Sequence, residues 1–208
     1  TTVSYDSGNY IASFEKALEM VGYDDFRKEQ NQARDNGKLL GIGLSSYVEI
    51  CGAAPSAVAG TLGARAGLWE SANVRIHMTG KVSVFTGSSA HGQGHETAFA
   101  QIVSSELGIP VEDIDVIHGD TSQIQMGTGS FGSRSAAVGG SAIHLSTQKI
   151  KDKARKLAAH ILEASEEDIV FEDGKLFVQG APSEGKTIQE IALSSYYYTE
   201  DIPEDMEP

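Results

Sequence analysis

This chain has one cysteine, one tryptophan and only five prolines in 208 residues. A single cysteine excludes an internal disulfide and a thiol-rich metal site. Positive charge is also scarce: 16 Lys and Arg stand against 29 Asp and Glu, a net charge of −13. That balance argues against a nucleic-acid binder, which needs a basic face. No apolar run approaches the ~20 residues of a membrane helix, so membrane insertion is not expected. The opening Thr1-Thr2-Val3 has neither a basic flank nor an apolar core, so no signal peptide is expected there. It also lacks Met, which predicts that residues precede it. What is present is ample for a core: 40% hydrophobic residues in a length that suits one large or two small domains.

Residues 6–36 read as two helices. Asp6 or Ser7 caps the first, Tyr10, Phe14, Leu18 and Val21 form its apolar stripe, and Gly22 stops it. Asp24 or Asp25 opens the second, and Gly37 ends it. The near-continuous apolar run 38–50 predicts a buried strand, and the Gly/Ala-rich stretch 51–70 a loop. Alternation over 73–86 predicts a hairpin. A small-residue loop from Gly87 to Gly94 then leads to a helix over His95–Leu107, and Asp113–His118 reads as a strand. A second small-residue loop, 119–134, leads to a long helix reaching Ala164, with Ile143, Ile150, Ala154, Leu157 and Ile161 on one face. A hairpin turns at Asp173-Gly174, and a short helix covers 187–194. The fold expected is α+β, a mixed or antiparallel sheet with packed helices. Its division is a helical pair (1–36), an α+β lobe (37–194) and an acidic tail (195–208), whose last nine positions hold five acids.

Gly180-Ala-Pro-Ser-Glu-Gly185-Lys186-Thr187 matches a phosphate-loop pattern. Its context is wrong, because the strand before it belongs to a tight antiparallel hairpin and nucleotide-triphosphate folds use parallel crossovers. A surface turn is the expected outcome, and a phosphate-binding or structural module built on Gly180–Thr187 is the alternative. His91, His95 and Glu96 could suggest a metal, but Gly92 and Gly94 interrupt any helix that would align the two histidines, so no metal ligands are assigned. Cys51 is expected to be a small buried hydrophobe. The run Lys149–Lys156 is expected to be a solvated helix face.

The two Gly/Ser loops carry more information together. Gly92-Gln93-Gly94-His95 and Gly132-Ser133-Arg134-Ser135 each precede a helix, so backbone N–H groups can converge on an anion. The second adds two hydroxyls and a guanidinium suited to phosphate. Such a pair suits a diphosphate-bearing ligand.

Gly-Gln-Gly-His-Glu-Thr (92–97), Gly-Ser-Phe-Gly-Ser-Arg-Ser (129–135) and the stretch between them, with Glu106-Leu-Gly-Ile-Pro110, resemble the molybdenum-cofactor subunit of the xanthine dehydrogenase/aldehyde oxidase family. Tyr5-Asp-Ser-Gly8 and Gly41-Ile-Gly-Leu-Ser-Ser-Tyr47 share the resemblance, which is nearest to the aerobic carbon monoxide dehydrogenase large-chain branch. It implies that Gly92, Gln93, Gly94 and His95 lie against the pterin dithiolene and phosphates, and that Ser133, Arg134 and Ser135 serve the dinucleotide side. It implies molybdopterin cytosine dinucleotide with molybdenum as the parent cofactor. It further implies a cytoplasmic enzyme that oxidises a small substrate such as CO, an aldehyde or an N-heterocycle with oxygen from water. The implied partners are the remainder of the large subunit, an FAD-binding medium subunit and a 2Fe-2S small subunit. The family's copper-binding cysteine loop has no match here, and Cys51 does not correspond to it. Nor do Glu49, Glu96 or Glu106 match the family's general-base glutamate. No catalytic residue is therefore assigned, and the chain is expected to be a fragment that does not turn over, with the cofactor absent when it is isolated.

Overall fold

A computed structural model describes residues 7–49, 51, 52, 56–61, 63, 65, 67–198, 202, 203 and 206. The chain divides into two compact units, Thr1–Val48 and Glu49–Pro208. Residues 37–48 thus group with the helical pair.

In the first unit, α1 (Tyr10–Val21) is capped by Asn9, whose side chain accepts from the amide of Ala12 at 3.1 Å. Ser7 does not cap it, and Asp6 lies outside the described residues. Gly22 takes a left-handed φ of 64°, ending α1 and opening α2 (Tyr23–Asp35). Asp24 and Asp25 fall in the first turn of α2, where the helix dipole favours acids. Neither helix buries a residue within this unit, and Tyr10, Phe14 and Val21 of the expected stripe are exposed. The strand expected over 38–50 is not formed at 38–49; residue 50 lies outside the described residues. Leu39, Leu44, Tyr47 and Val48 are exposed. An apolar β-leaning run becomes a strand only when another strand accepts its backbone hydrogen bonds, and this unit holds none among the described residues.

The second unit carries the core. A short helix, α3 (Ser56–Thr61), interrupts the stretch read as a loop. Cys51 is exposed in a bend, not buried, because the strand expected to lead into it is absent. β1 (Ala72–Ile76) and β2 (Val82–Thr86) form the expected antiparallel hairpin. β2 then crosses through α4 (His95–Leu107) to β3 (Ile114–His118), which pairs parallel to it. The sheet order is β1-β2-β3. Alternation decides its faces: Val82, Val84 and Thr86 are buried, whereas Ser83 and Phe85 are half-buried.

After the second small-residue loop, one π turn (Ser135–Gly139) runs into α5 (Gly140–Ile161). Ile143, Ala154 and Leu157 are buried as their spacing predicts, with Ile150 and Ile161 half-buried beside them. α5 packs on α4, on β1 and on a second sheet, so it is the spine of the unit. That sheet holds β4 (Ile169–Glu172), β5 (Lys175–Val178) and β6 (Lys186–Thr187), all antiparallel. α6 (Ile188–Tyr197) closes it. The α+β class is borne out. The basic face of α5 is only partly free, since Lys151 pairs with Glu106 at 2.8 Å. Of the acidic tail, residues 199–201, 204, 205, 207 and 208 lie outside the described residues. Met206 packs against the core, so the described part of the tail is not wholly solvated. No helix among the described residues is long and apolar enough to cross a membrane.

Candidate cofactor cradle

The expected helix begins at His95, preceded by Gly94 in a left-handed conformation with φ 77°. No side chain caps this start. The first amides of α4 therefore have no intrahelical acceptor, and the positive end of the helix dipole adds to them. Gly92, Gln93 and Gly94 are exposed. A side chain at Gly92 or Gly94 would meet open space, so these glycines are present for backbone conformation (φ 97° and 77°) and leave the N–H groups uncovered. Gln93 Oε1 turns back to accept from the His91 amide, holding the loop tight.

His95 faces the other way. Its ring is buried and stacks on Phe99 with centroids 5.2 Å apart. Burial lowers its pKa below the usual 6.5, so the imidazole is neutral at pH 7. Nδ1 is buried without a hydrogen-bond partner among the described residues. Glu96 accepts from His118 Nε2 at 2.8 Å, and that bond holds its carboxyl below the usual value. His91 lies off the helix that begins at His95, and Glu96 pairs with the end of β3.

The second loop lies against the first. Ser130 Oγ donates to Ser89 O at 2.6 Å, and Ser135 Oγ donates to Ser130 Oγ at 2.9 Å. Gly87 and Gly127 touch backbone to backbone, and a Cβ on either would overlap the other. A Cβ on Gly139, in the π turn, would come within 2.6 Å of Ser88 Oγ. The long sequence separation between the loops is therefore closed by small residues alone, since any larger side chain would wedge them apart.

Ser133 is exposed and has φ 49°, a left-handed value that non-glycine residues seldom take. Its hydroxyl donates to Glu49 Oε1 at 2.6 Å, and its carbonyl accepts from the Gly52 amide at 3.0 Å. Ser135 is buried. Arg134 differs most from expectation. Its side chain is wholly buried, with Nη1 paired to Glu70 Oε1 and donating to Gly129 O at 3.0 Å, and Nη2 donating to Leu68 O at 2.8 Å. The guanidinium faces protein groups and not solvent. The sequence reading passed over Glu70, and it placed Ser130 and Ser89 in the two loops without a role of their own. Only Glu70 left a signal, as a lone acid in an otherwise small and apolar approach to β1.

The alternative phosphate loop packs against β5. Lys186 and Thr187 pair with β5, and a Cβ on Gly185 would overlap Phe177. Thr187 caps α6 in a reciprocal box with Glu190. An apolar groove of about 190 Å³, lined by Val74, Ile76, Leu157, Ile191 and Tyr196 among others, shares no residue with either loop.

Residues 16–206 match the model of a molybdopterin cofactor-binding domain. The chain belongs to that family. It is 43% identical to the carbon monoxide dehydrogenase large chain of Hydrogenophaga pseudoflava, over 98% of this chain and 25% of the relative. It is 36% identical to the nicotine 6-hydroxylase large subunit of Paenarthrobacter nicotinovorans, over 99% of this chain and 25% of the relative. Among solved structures, the reconstituted CO dehydrogenase from Oligotropha carboxidovorans superposes with a TM-score of 0.71 at 41% identity, over 98% of this chain and 26% of that one. The motif-based resemblance is borne out, and the phosphate-loop alternative is not favoured. This chain spans about a quarter of the length of the curated relatives it matches.

Proposed function

We propose that this chain is the part of a molybdenum hydroxylase large subunit that cradles the phosphate-bearing side of its cofactor. The observation that carries the reading is the uncapped start of α4 lying beside a second loop of small and hydroxyl residues. Gly92, Gln93 and Gly94 offer backbone N–H groups, His95 anchors the helix start through its buried ring, and Ser133 and Ser135, whose hydroxyls donate to Glu49 and Ser130, shape the second loop beside them. The uncovered amides of the first loop and the close glycine backbones fit a ligand rich in acceptor oxygens. In a chain of net charge −13, backbone dipoles are the natural means of holding a diphosphate, because they add no competing ion pairs.

The cofactor proposed is molybdopterin cytosine dinucleotide with molybdenum. When bound, it supplies the two-electron oxidation of a small substrate such as CO, an aldehyde or an N-heterocycle, with oxygen from water. This chain binds and orients it. The rest of the large subunit, an FAD-binding subunit and a 2Fe-2S subunit complete the cytoplasmic enzyme. General-base help is supplied outside these residues, so the 208-residue chain alone does not turn over.

The test is chemical analysis of the full-length large subunit containing this segment, purified from a cofactor-producing host. One molybdenum and one CMP released per chain are expected, and Gln93→Ala should lower both while the subunit stays folded. Molybdenum without CMP would remove the dinucleotide form. Unchanged loading in Gln93→Ala combined with Ser135→Ala would remove the cradle.

A further inference from the structure

Glu70 and Arg134 are 64 positions apart, and both side chains are fully shielded from solvent. Glu70 Oε1 accepts not only from Arg134 but also from the amide and hydroxyl of Thr128, each at 2.9 Å. Arg134 in turn reaches Gly129 O and Leu68 O, and its guanidinium stands 5.2 Å from the centre of the Phe131 ring. One ion pair therefore ties the approach to β1 (68–70) to four positions of the second loop (128, 129, 131 and 134).

We propose that this buried pair is a clamp that sets the shape of the second loop, so that Arg134 acts on the ligand only through Ser133 and Ser135. Three observations support it. A guanidinium that swung out to a phosphate would leave Glu70 charged and unpaired in the interior, a strongly unfavourable state. The residues flanking Arg134 are turned elsewhere: Ser133 is exposed, and Ser135, though buried, bonds to Ser130, the residue that reaches the first loop. Finally, Ser133 needs an outside constraint to keep φ at 49°, and anchoring the next residue supplies one. Because Glu70 neutralises Arg134, the pair gives the cradle geometry and no net charge.

The inference rests on the cradle reading, and the test separates the two. The full chain is titrated with inorganic pyrophosphate, and amide exchange is followed over residues 126–135, in wild type, Glu70→Gln, Arg134→Lys and Thr128→Val. If Arg134 touched phosphate directly, Glu70→Gln would free its charge and tighten binding, and Arg134→Lys would keep most of it. A clamp gives the opposite sign: both variants bind about three- to tenfold more weakly, and exchange at 126–135 speeds up. Tighter or unchanged binding in Glu70→Gln overturns the clamp. If Glu70→Gln does not fold, Thr128→Val removes one bond to the same carboxylate and is read in the same way. If the wild-type chain binds no pyrophosphate, the cradle reading fails. The clamp then stands or falls on exchange alone, faster in Thr128→Val and Arg134→Lys supporting it and unchanged overturning it.

Discussion

Among the glycine-bearing turns that lead into helices, those at Gly92–His95 and at Gly180–Thr187 have different helix starts. At α6, Thr187 Oγ1 accepts from the Glu190 amide at 3.2 Å, and Glu190 Oε2 accepts from the Thr187 amide at 2.7 Å. Its first donors are already satisfied. At α4, a left-handed glycine occupies the cap position and no side chain turns back onto the helix. The α6 turn better matches a phosphate-binding pattern by its letters, yet the α4 turn has donors to give. A helix start is an anion site only while its own residues leave it uncapped.

The largest effect expected from opening this contrast is at Gly127. Gly127→Ala should destabilise the chain by about 1–3 kcal/mol through overpacking against Gly87, and abolish pyrophosphate binding by parting the two loops. Gly180→Ala, which also sits at positive φ (89°) but faces open space, should cost about 1–2 kcal/mol and leave pyrophosphate binding unchanged. Urea denaturation and titration of both variants check the pair, and equal binding loss would erase the distinction.

Next in size is the cap itself. Thr187→Ala should cost about 1 kcal/mol with no change in anion binding. The same cap is sensitive to acid. The Thr187 backbone N–H holds the Glu190 carboxyl below the usual 4.5. A depressed carboxylate stabilises the fold at pH above its unfolded value, and that contribution disappears as pH falls below 4.5 and through the lower folded value. The Tm difference between wild type and Glu190→Gln should therefore be present at neutral pH and vanish on acidification. A difference independent of pH would show that the carboxylate is not the capping group.

The smallest effect expected is at Lys186. Its backbone belongs to β6 and its helix start is already capped, so Lys186→Ala should change stability within about 0.5 kcal/mol and leave phosphate and nucleotide binding at the wild-type level. Loss of nucleotide binding in this variant would reverse the comparison between the two turns.

Most of the second unit was legible in its residues. The hairpin at 73–86, the helix from His95, the strand ending at His118 and the buried stripe Ile143–Ala154–Leu157 follow from periodicity and from glycines at turns. Periodicity is local, and these elements find their partners within the same unit. The run at 38–50 reads equally well as a strand but, among the described residues, has no ladder to join in its own unit. Hydropathy reports that a segment can be buried, not that a partner is at hand.

The sequence by itself determined the family, the two small-residue loops and the helix that each one opens, because these rest on residue identity and short spacing. The tertiary structure alone decided how those loops meet and where Arg134 points. A guanidinium is matched equally well to a phosphate and to a carboxylate, since both present paired oxygens to its planar fork. Only the fold, by bringing Glu70 beside Arg134 from 64 positions away, selects the carboxylate and turns the guanidinium inward.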